Sequence, residues 1–420
     1  MKIRSHCGVL AAATFASSTL CLPSPSLASG FAIPAQSGSA AGNAFAGTAE
    51  AEDSSVLWFN PAGLARIDGT NVVLAGNLIK PSFKFGNTGS TGVFGFTGSG
   101  DGGDGGHLAL VPETYAATTI GNGWHVGIGV NAPFGLKTDY ESGWRGRFSA
   151  ERSEVKSYNI NPSLAYKITD MLSLGVGVDW QRFTAKLTNF AGPLGDAALD
   201  AADSSWGYDA GAMLDLTKNA RVGISYRSAI AYRLHGSANF SGGGGIFNSS
   251  IRTELTVPES LSVNGFLATN SPWELMANAT WTRWSRLQSL TVVRTSASAL
   301  GAAGSTLSVL PFNWRDTYFL AVGAGYSLDE NWKLQFGIAH DSAASNDVTR
   351  SPRLPDQSRT QCSVGARYRM TKSGTLDVAY SHDFIKDASI DTATVGAPGR
   401  LVGTFKNYAD VLSAQYSYRY

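Results

Sequence analysis

Cysteine is scarce in this sequence, with three in 420 residues: Cys7, Cys21 and Cys362. The first two fall in an N-terminal leader, so the exported chain keeps one thiol and forms no intrachain disulfide. Charge is scarce as well, at 15 % of residues. Removing Lys2 and Arg4 with the leader leaves 31 basic against 32 acidic residues, a balance that argues against a nucleic-acid partner. Histidine is rare: beyond the leader stand His107, His125, His235, His340 and His382. His340-Asp341 and His382-Asp383 have neither metal-ligand nor nucleophile-activating spacing, so no catalytic residue, metal site or cofactor is expected. The Gly98–Gly106 stretch lacks the lysine and the strand-to-helix setting of a phosphate loop and reads as a flexible loop. Long apolar runs are missing too, which excludes membrane-spanning helices.

The leader sets the compartment. A short positive start is followed by an apolar stretch from Val9 to Leu22, then Pro23 and Pro25, then small residues around Ala28. That is the layout of a secretory signal over residues 1–28. Leu20 before Cys21 argues against a lipoprotein site.

Glycine is abundant, 48 residues, and aromatics make up 11 %. An exported chain rich in both, weakly charged and without apolar helices, has the composition of a transmembrane β-barrel. Periodicity agrees. Tyr318, Leu320, Val322, Ala324, Tyr326 and Leu328 alternate with smaller or more polar residues. The C-terminus does the same, Leu412, Ala414, Tyr416, Tyr418 and Tyr420 alternating with Ser413, Gln415, Ser417 and Arg419. A lipid-facing side edged by tyrosine, opposite a lumen-facing side, requires this period of two.

Turn signals come in two alternating sizes. The tight ones lie at 121–123, 169–171, 218–220, 269–272, 329–331 and 372–374. Longer segments lie at about 87–106, 134–152, 188–205, 236–250, 285–313, 342–356 and 385–404. Together they join about fourteen antiparallel strands over 71–420, an all-β fold with short turns at one end and long loops at the other. Residues 29–70 have no strand in this count and are expected to form a hatch, or plug, inside the lumen. Within them Asn60-Pro61-Ala62 follows an aromatic pair, and proline there would fix φ while asparagine bonds nearby backbone.

Several blocks resemble the FadL/TodX family of outer-membrane transporters of hydrophobic compounds. They are Ser29–Ser37, Gly42–Gly47, Phe59–Leu64, Asn131–Leu136, Tyr226–Ser228, Val257–Glu259, Trp281–Ser285, Trp314–Tyr318, Asp329–Trp332 and Leu354–Gln357. The resemblance implies a multi-pass barrel in the Gram-negative outer membrane that is a monomer and not an enzyme. Its partners would be a hydrophobic small molecule and the surrounding outer-membrane lipid and lipopolysaccharide. It implies ligand capture outside, rearrangement of a hatch at Asn60, Pro61 and Ala62, and lateral release where the third strand kinks, near Asn131, Pro133 and Gly135. For ligand binding it points to Arg315, Asn189 and Phe190. Arg315 would meet a fatty-acid carboxylate, while Asn189 stands where some relatives have arginine and so leaves room for neutral aromatic hydrocarbons. For Arg315 an ion pair with Asp316, or a rim charge, is the competing assignment. A general porin or an outer-membrane hydrolase are further alternatives; the first would need a wet charged constriction, the second a His-centred set at the rim.

Overall fold

The computed structural model describes residues 30–92, 96–392 and 399–420, so the leader and its cleavage point lie outside the described residues. Fourteen antiparallel strands form a closed barrel. In chain order they are β1 (Thr70–Asn87), β2 (Ala109–Gly121), β3 (Trp124–Asn131, resuming as Gly135–Asp139), β4 (Arg152–Lys167), β5 (Leu172–Phe190) and β6 (Asp196–Asp215). Next come β7 (Ala220–Arg227 and Ile230–Phe240), β8 (Ser249–Val257 and Ser260–Ala268), β9 (Trp273–Thr282 and Ser289–Arg294) and β10 (Thr306–Pro311 and Thr317–Ser327). The last four are β11 (Trp332–Asp341), β12 (Arg359–Arg369), β13 (Gly374–Ile385 and Ala388–Asp391) and β14 (Val402–Arg419). β14 pairs back onto β1 from Asn71↔Arg419 to Asn87↔Gly403, leaving no open edge.

The two faces are inverted relative to a water-soluble protein. Leu74, Ile128, Val176, Ile224, Val322, Val364 and Leu412 are exposed, whereas Asn77, Asn159, Asn161, Asp179, Gln335, Asp377 and Gln415 are buried. An apolar belt this continuous is stable only against lipid. Near the short turns, aromatic pairs Trp124–Tyr166, Trp273–Tyr326 and Trp332–Tyr368 edge the belt. Among the described residues no helix is long and apolar enough to cross a membrane.

The six tight turns fall where the sequence places them. Several expected long loops do not. Most of 188–205 belongs to β5 and β6, joined through Asn189↔Ala197 with only 191–195 between them. Likewise 285–313 contains a hairpin, Ser289↔Pro311 to Val293↔Thr306. These ladders rise beyond the lipid, where no apolar face is required, so the alternating signature vanishes while backbone pairing continues.

Residues 30–69 pack inside the barrel. They contain helices α1 (Gly38–Ala41) and α2 (Val56–Phe59) and two 3-10 turns, Ala46–Ala49 and Pro61–Arg66. Elements this short are not stable by themselves. The wall holds them, and nearly every side chain from Ala35 to Ile67 is buried.

Candidate functional site: the plug and the wall opening

The inner wall is paved with glycine where the plug touches it. A Cβ on Gly175 would lie 2.3 Å from the backbone of Pro61 and Ala62, and one on Gly211 would lie 2.0 Å from Asn60 Oδ1. Gly223, Gly323, Gly337 and Gly365 are similarly close to Asn60, Asn43 and Gly42. Backbone approach of this kind excludes any side chain. Asn60 makes use of it. Its Oδ1 accepts from Ala62 N–H at 3.1 Å, capping the turn, while Nδ2 donates to the wall carbonyls of Ala212 and Ile224 at 3.1 and 3.3 Å. Asn60, Pro61 and Ala62 therefore sit together against β5, β6 and β7.

Two further sets of contacts fix the plug. At its centre the Gln415 side chain accepts from Gly38 and Ser39 N–H at 3.0 and 3.2 Å and donates to Asp53 at 2.8 Å. Toward the short turns, Lys333 Nζ lies 2.6 Å from Glu50, 3.1 Å from Glu52 and 2.8 Å from Glu274. Those three carboxylates have a metal-like spacing, but the Lys333 ammonium sits among them, and Arg367 and Arg221 add positive charge beside Glu50 and Glu52. Arg367 pairs with Glu52 and, at 2.6 Å, with Asp377.

The third strand breaks at 132–134. Below the break Asn131 pairs with Asn159, and above it Gly135 pairs with Lys156, so β3 carries one more residue than β4 between these pairs. Such a bulge re-aims a strand. The plug's first residues occupy the break. Ile33 N–H donates to Pro133 O at 2.9 Å, Gly135 N–H donates to Phe31 O at 3.0 Å, and a Cβ on Gly135 would meet Ile33 at 2.7 Å. Asn131 Nδ2 donates to Gln36 Oε1 at 2.7 Å. Thus Asn131, Pro133 and Gly135 converge on residues 31–36.

The break also opens the wall. β2 pairs with β3 only from Thr114↔Val130 downward, and the next contact above is the bridge Gly106↔Thr138. Between them lies a window whose β2 edge includes Pro112, which has no N–H to leave unpaired. Through it runs a cavity of about 580 Å³. The lining joins lipid-facing Leu108, Leu110 and Tyr158 to interior Ile33, Phe134 and Val411, with Lys137 at the window's upper edge. A second cavity of about 180 Å³ lies deeper, and both are lined by Ala32, Ile33, Pro34 and Phe45. Those four residues are the partition between them.

Above the plug the lumen is filled by aromatic rings. Phe31 meets Trp284 at 4.9 Å, Phe134 at 5.7 Å, Trp314 at 5.8 Å and Phe183 at 6.1 Å between ring centres.

The three expected ligand residues lie elsewhere. Arg315 is exposed and lines neither cavity, and Asp316 is held by Trp281 Nε1 and Ser285 N–H rather than by Arg315. Asn189 and Phe190 are at the long-loop rim. There Arg353 donates to Asn189 Oδ1 at 3.2 Å, and the Arg147 guanidinium lies 4.0 Å over the Phe190 ring. A residue distant in sequence thus places a guanidinium beside Asn189. The cations on the larger cavity are Lys137, Lys156 and Arg359, the last paired with Asp341 at 2.7 Å. Of the two His-Asp pairs, His340 is exposed on the outer wall and His382 bonds Asp410, not Asp383, at 2.8 Å. The glycine seats, Gln415, Lys333 and Lys137 were not singled out from sequence. The signal for the seats is glycine at inward positions of strands such as β5, where Gly175 and Gly177 alternate with Leu174 and Val176.

Comparison with known proteins closes the description. Residues 19–420 match the family model described as outer membrane protein transport protein (OMPP1/FadL/TodX). The Neisseria meningitidis serogroup B protein NMB0088 is 30 % identical, covering 94 % of this chain and 95 % of its own. The long-chain fatty acid transport protein of Salmonella typhi is 26 % identical over 84 % of this chain and 87 % of its own. The crystal structure of a Pseudomonas aeruginosa FadL homologue superposes with a TM-score of 0.85 at 26 % identity, covering 93 % and 100 % of the two chains.

Proposed function

The chain belongs to the OMPP1/FadL/TodX family of outer-membrane proteins that transport hydrophobic compounds, and from that premise we propose that it takes up long-chain fatty acids and releases them sideways through its wall. The carrying observation is the cavity that runs from the plug to the lipid-facing surface between β2 and β3. Its volume of about 580 Å³ lies within the roughly 300–1,000 Å³ of small-molecule sites. An apolar solute using it leaves one apolar environment for another, retaining about 25 cal/mol for each Å² kept from water. Lipopolysaccharide sugars obstruct the direct route, and a concentration gradient suffices to drive the lateral one. A non-enzymatic role fits a family of transporters.

The plug couples capture to release in this reading. Arriving cargo competes with Phe31 for the aromatic cluster. Withdrawal of residues 31–34 removes the partition and joins the deeper cavity to the window. The carboxylate is assigned to Lys137 rather than Arg315, because Lys137 lines the cavity and has no ion pair with another described residue. Closure of the barrel through the β1–β14 ladder, which leaves only the short β2–β3 window unpaired, supports a monomer.

A second reading, uptake of neutral aromatic hydrocarbons, is favoured by the mostly apolar window lining. Growth of a deletion strain with and without the gene, on oleate and on toluene, separates the two. Gene-dependent growth on oleate is expected; growth on both carbon sources that ignores the gene sinks the uptake reading.

A further inference from the structure

We propose that Lys84, Lys386 and Lys406 form a phosphate-binding face on the outer wall that docks one lipopolysaccharide molecule of the outer leaflet. All three are exposed, Lys84 on β1, Lys406 on the neighbouring β14, and Lys386 in the break between the two halves of β13. Lys84 lies directly opposite Lys406 in the β1–β14 ladder. Pairing of Phe384 with Tyr408 below and of Ala388 with Phe405 above puts Lys386 level with Lys406 on its other side. The result is a row of three ammonium groups across three strands.

Like charges directly opposite each other destabilise a sheet, and the charge of Asp104, bridged to Lys84, offsets this row only in part. None of the three lysines forms an ion pair among the described residues. Asp104, across from Lys84, accepts from Ser82 Oγ at 2.7 Å and from the N–H groups of Phe83 and Gly106 at 2.8 and 3.0 Å, so it stays ionised beside Lys84 without a direct ion pair. Asp387 follows Lys386 in the chain and is itself exposed. Several other outward cations have a carboxylate neighbour. Lys80 faces Asp410, Lys156 contacts Glu154 at 2.6 Å, and Lys186 contacts Asp200 at 2.9 Å. In this row three lysines stand side by side without a direct ion pair.

Its height identifies the occupant. Outward residues of β14 read Lys406, Tyr408, Asp410, Leu412, Ala414, Tyr416 and Tyr418. With strands tilted about 40°, each residue climbs roughly 2.5 Å along the membrane normal. Lys406 therefore stands about 30 Å above the tyrosines at the short-turn end, just past an apolar band of about 25 Å. Phe384 and Tyr408 are exposed directly beneath. An anionic lipid fits both parts, with acyl chains against the rings and phosphates against the lysines, which bind phosphate as point charges. In the outer leaflet of a Gram-negative outer membrane, lipopolysaccharide is that lipid.

The test uses the folded full-length protein in detergent with bisphosphorylated lipid A as probe, and the same lipid A after phosphatase treatment. Wild type is expected to bind the phosphorylated form about a hundredfold more tightly, on the order of a fivefold factor for each of the three lysines near the surface. The triple variant Lys84→Gln/Lys386→Gln/Lys406→Gln should lose about a hundredfold in affinity for phosphorylated lipid A and nothing for the dephosphorylated form. Lys186→Gln, which removes a matched cation, should behave as wild type. Equal binding of both lipids by wild type, or undiminished binding by the triple variant, overturns the proposal. If the triple variant does not fold, Lys406→Gln alone decides. Relief of repulsion should raise its thermal midpoint above wild type without lipid A, and added lipid A should stabilise it less than wild type. A midpoint unchanged in both conditions overturns the proposal as well.

Discussion

Asn60→Ala removes one residue that does two jobs. It deletes the cap on Ala62 N–H and the two donations that tie the plug to Ala212 and Ile224. Asn60 and Ala62 are both fully buried, so the freed N–H finds no water. A lost cap costs about 1 kcal/mol and each lost donation about another. The total of about 3 kcal/mol corresponds to roughly a hundredfold rise in local opening of the plug. Amide hydrogen exchange on the intact protein reads this directly. Protection across residues 56–66 should fall by about that factor, while amides of the β5–β6 ladder stay as they were. Asn60→Asp keeps the cap but turns a donor into a carboxylate facing two carbonyl oxygens, so it should open the plug more than alanine does. Gly211→Ala supplies a geometric control, because its Cβ would lie 2.0 Å from Asn60 Oδ1 and 3.3 Å from the next contact, Ile224 O. Gly211→Ala should therefore cost much less in an Asn60→Ala background than in wild type. Additive effects, or a loss of protection spread evenly over barrel and plug, would refute the seat as described.

Other perturbations probe separate parts. Lys333→Met leaves Glu50, Glu52 and Glu274 facing one another with only Arg367 and Arg221 nearby. A cost of about 3–5 kcal/mol is expected, seen as loss of protection at residues 46–53 and wider ion flux through the purified channel. Lys137→Gln should lower oleate uptake about fivefold and leave toluene uptake unchanged, since a half-exposed cation on a carboxylate is worth about 1 kcal/mol. Equal losses would detach Lys137 from the carboxylate. Val364→Arg places a cation in the middle of the lipid-facing belt, opposite Phe336 and Tyr380. It should lower stability in bilayers by about 2–4 kcal/mol, measured by denaturant titration in lipid vesicles.

Much of the architecture is written in short-range pattern. A strand in lipid must alternate and a membrane edge attracts aromatics, so β10 and β14 are readable residue by residue, as are the six tight turns at the opposite end from the loops. The same rule explains where that reading stopped. Above the lipid, β5, β6, β9 and β10 continue as ladders whose side chains meet water on one side, and no alternation marks them.

By itself, then, the sequence determined an exported all-β barrel, because that depends on neighbours close along the chain, while the plug motif and the strand break were located through the family resemblance. Only the tertiary structure decided what those residues touch. That Asn60 needs Gly211, that Ile33 occupies the break at Pro133, that Arg353 reaches Asn189, and that Lys137 rather than Arg315 lines the opening all follow from barrel closure. Closure sets side by side residues a hundred or more positions apart, and no local pattern encodes which of them will meet.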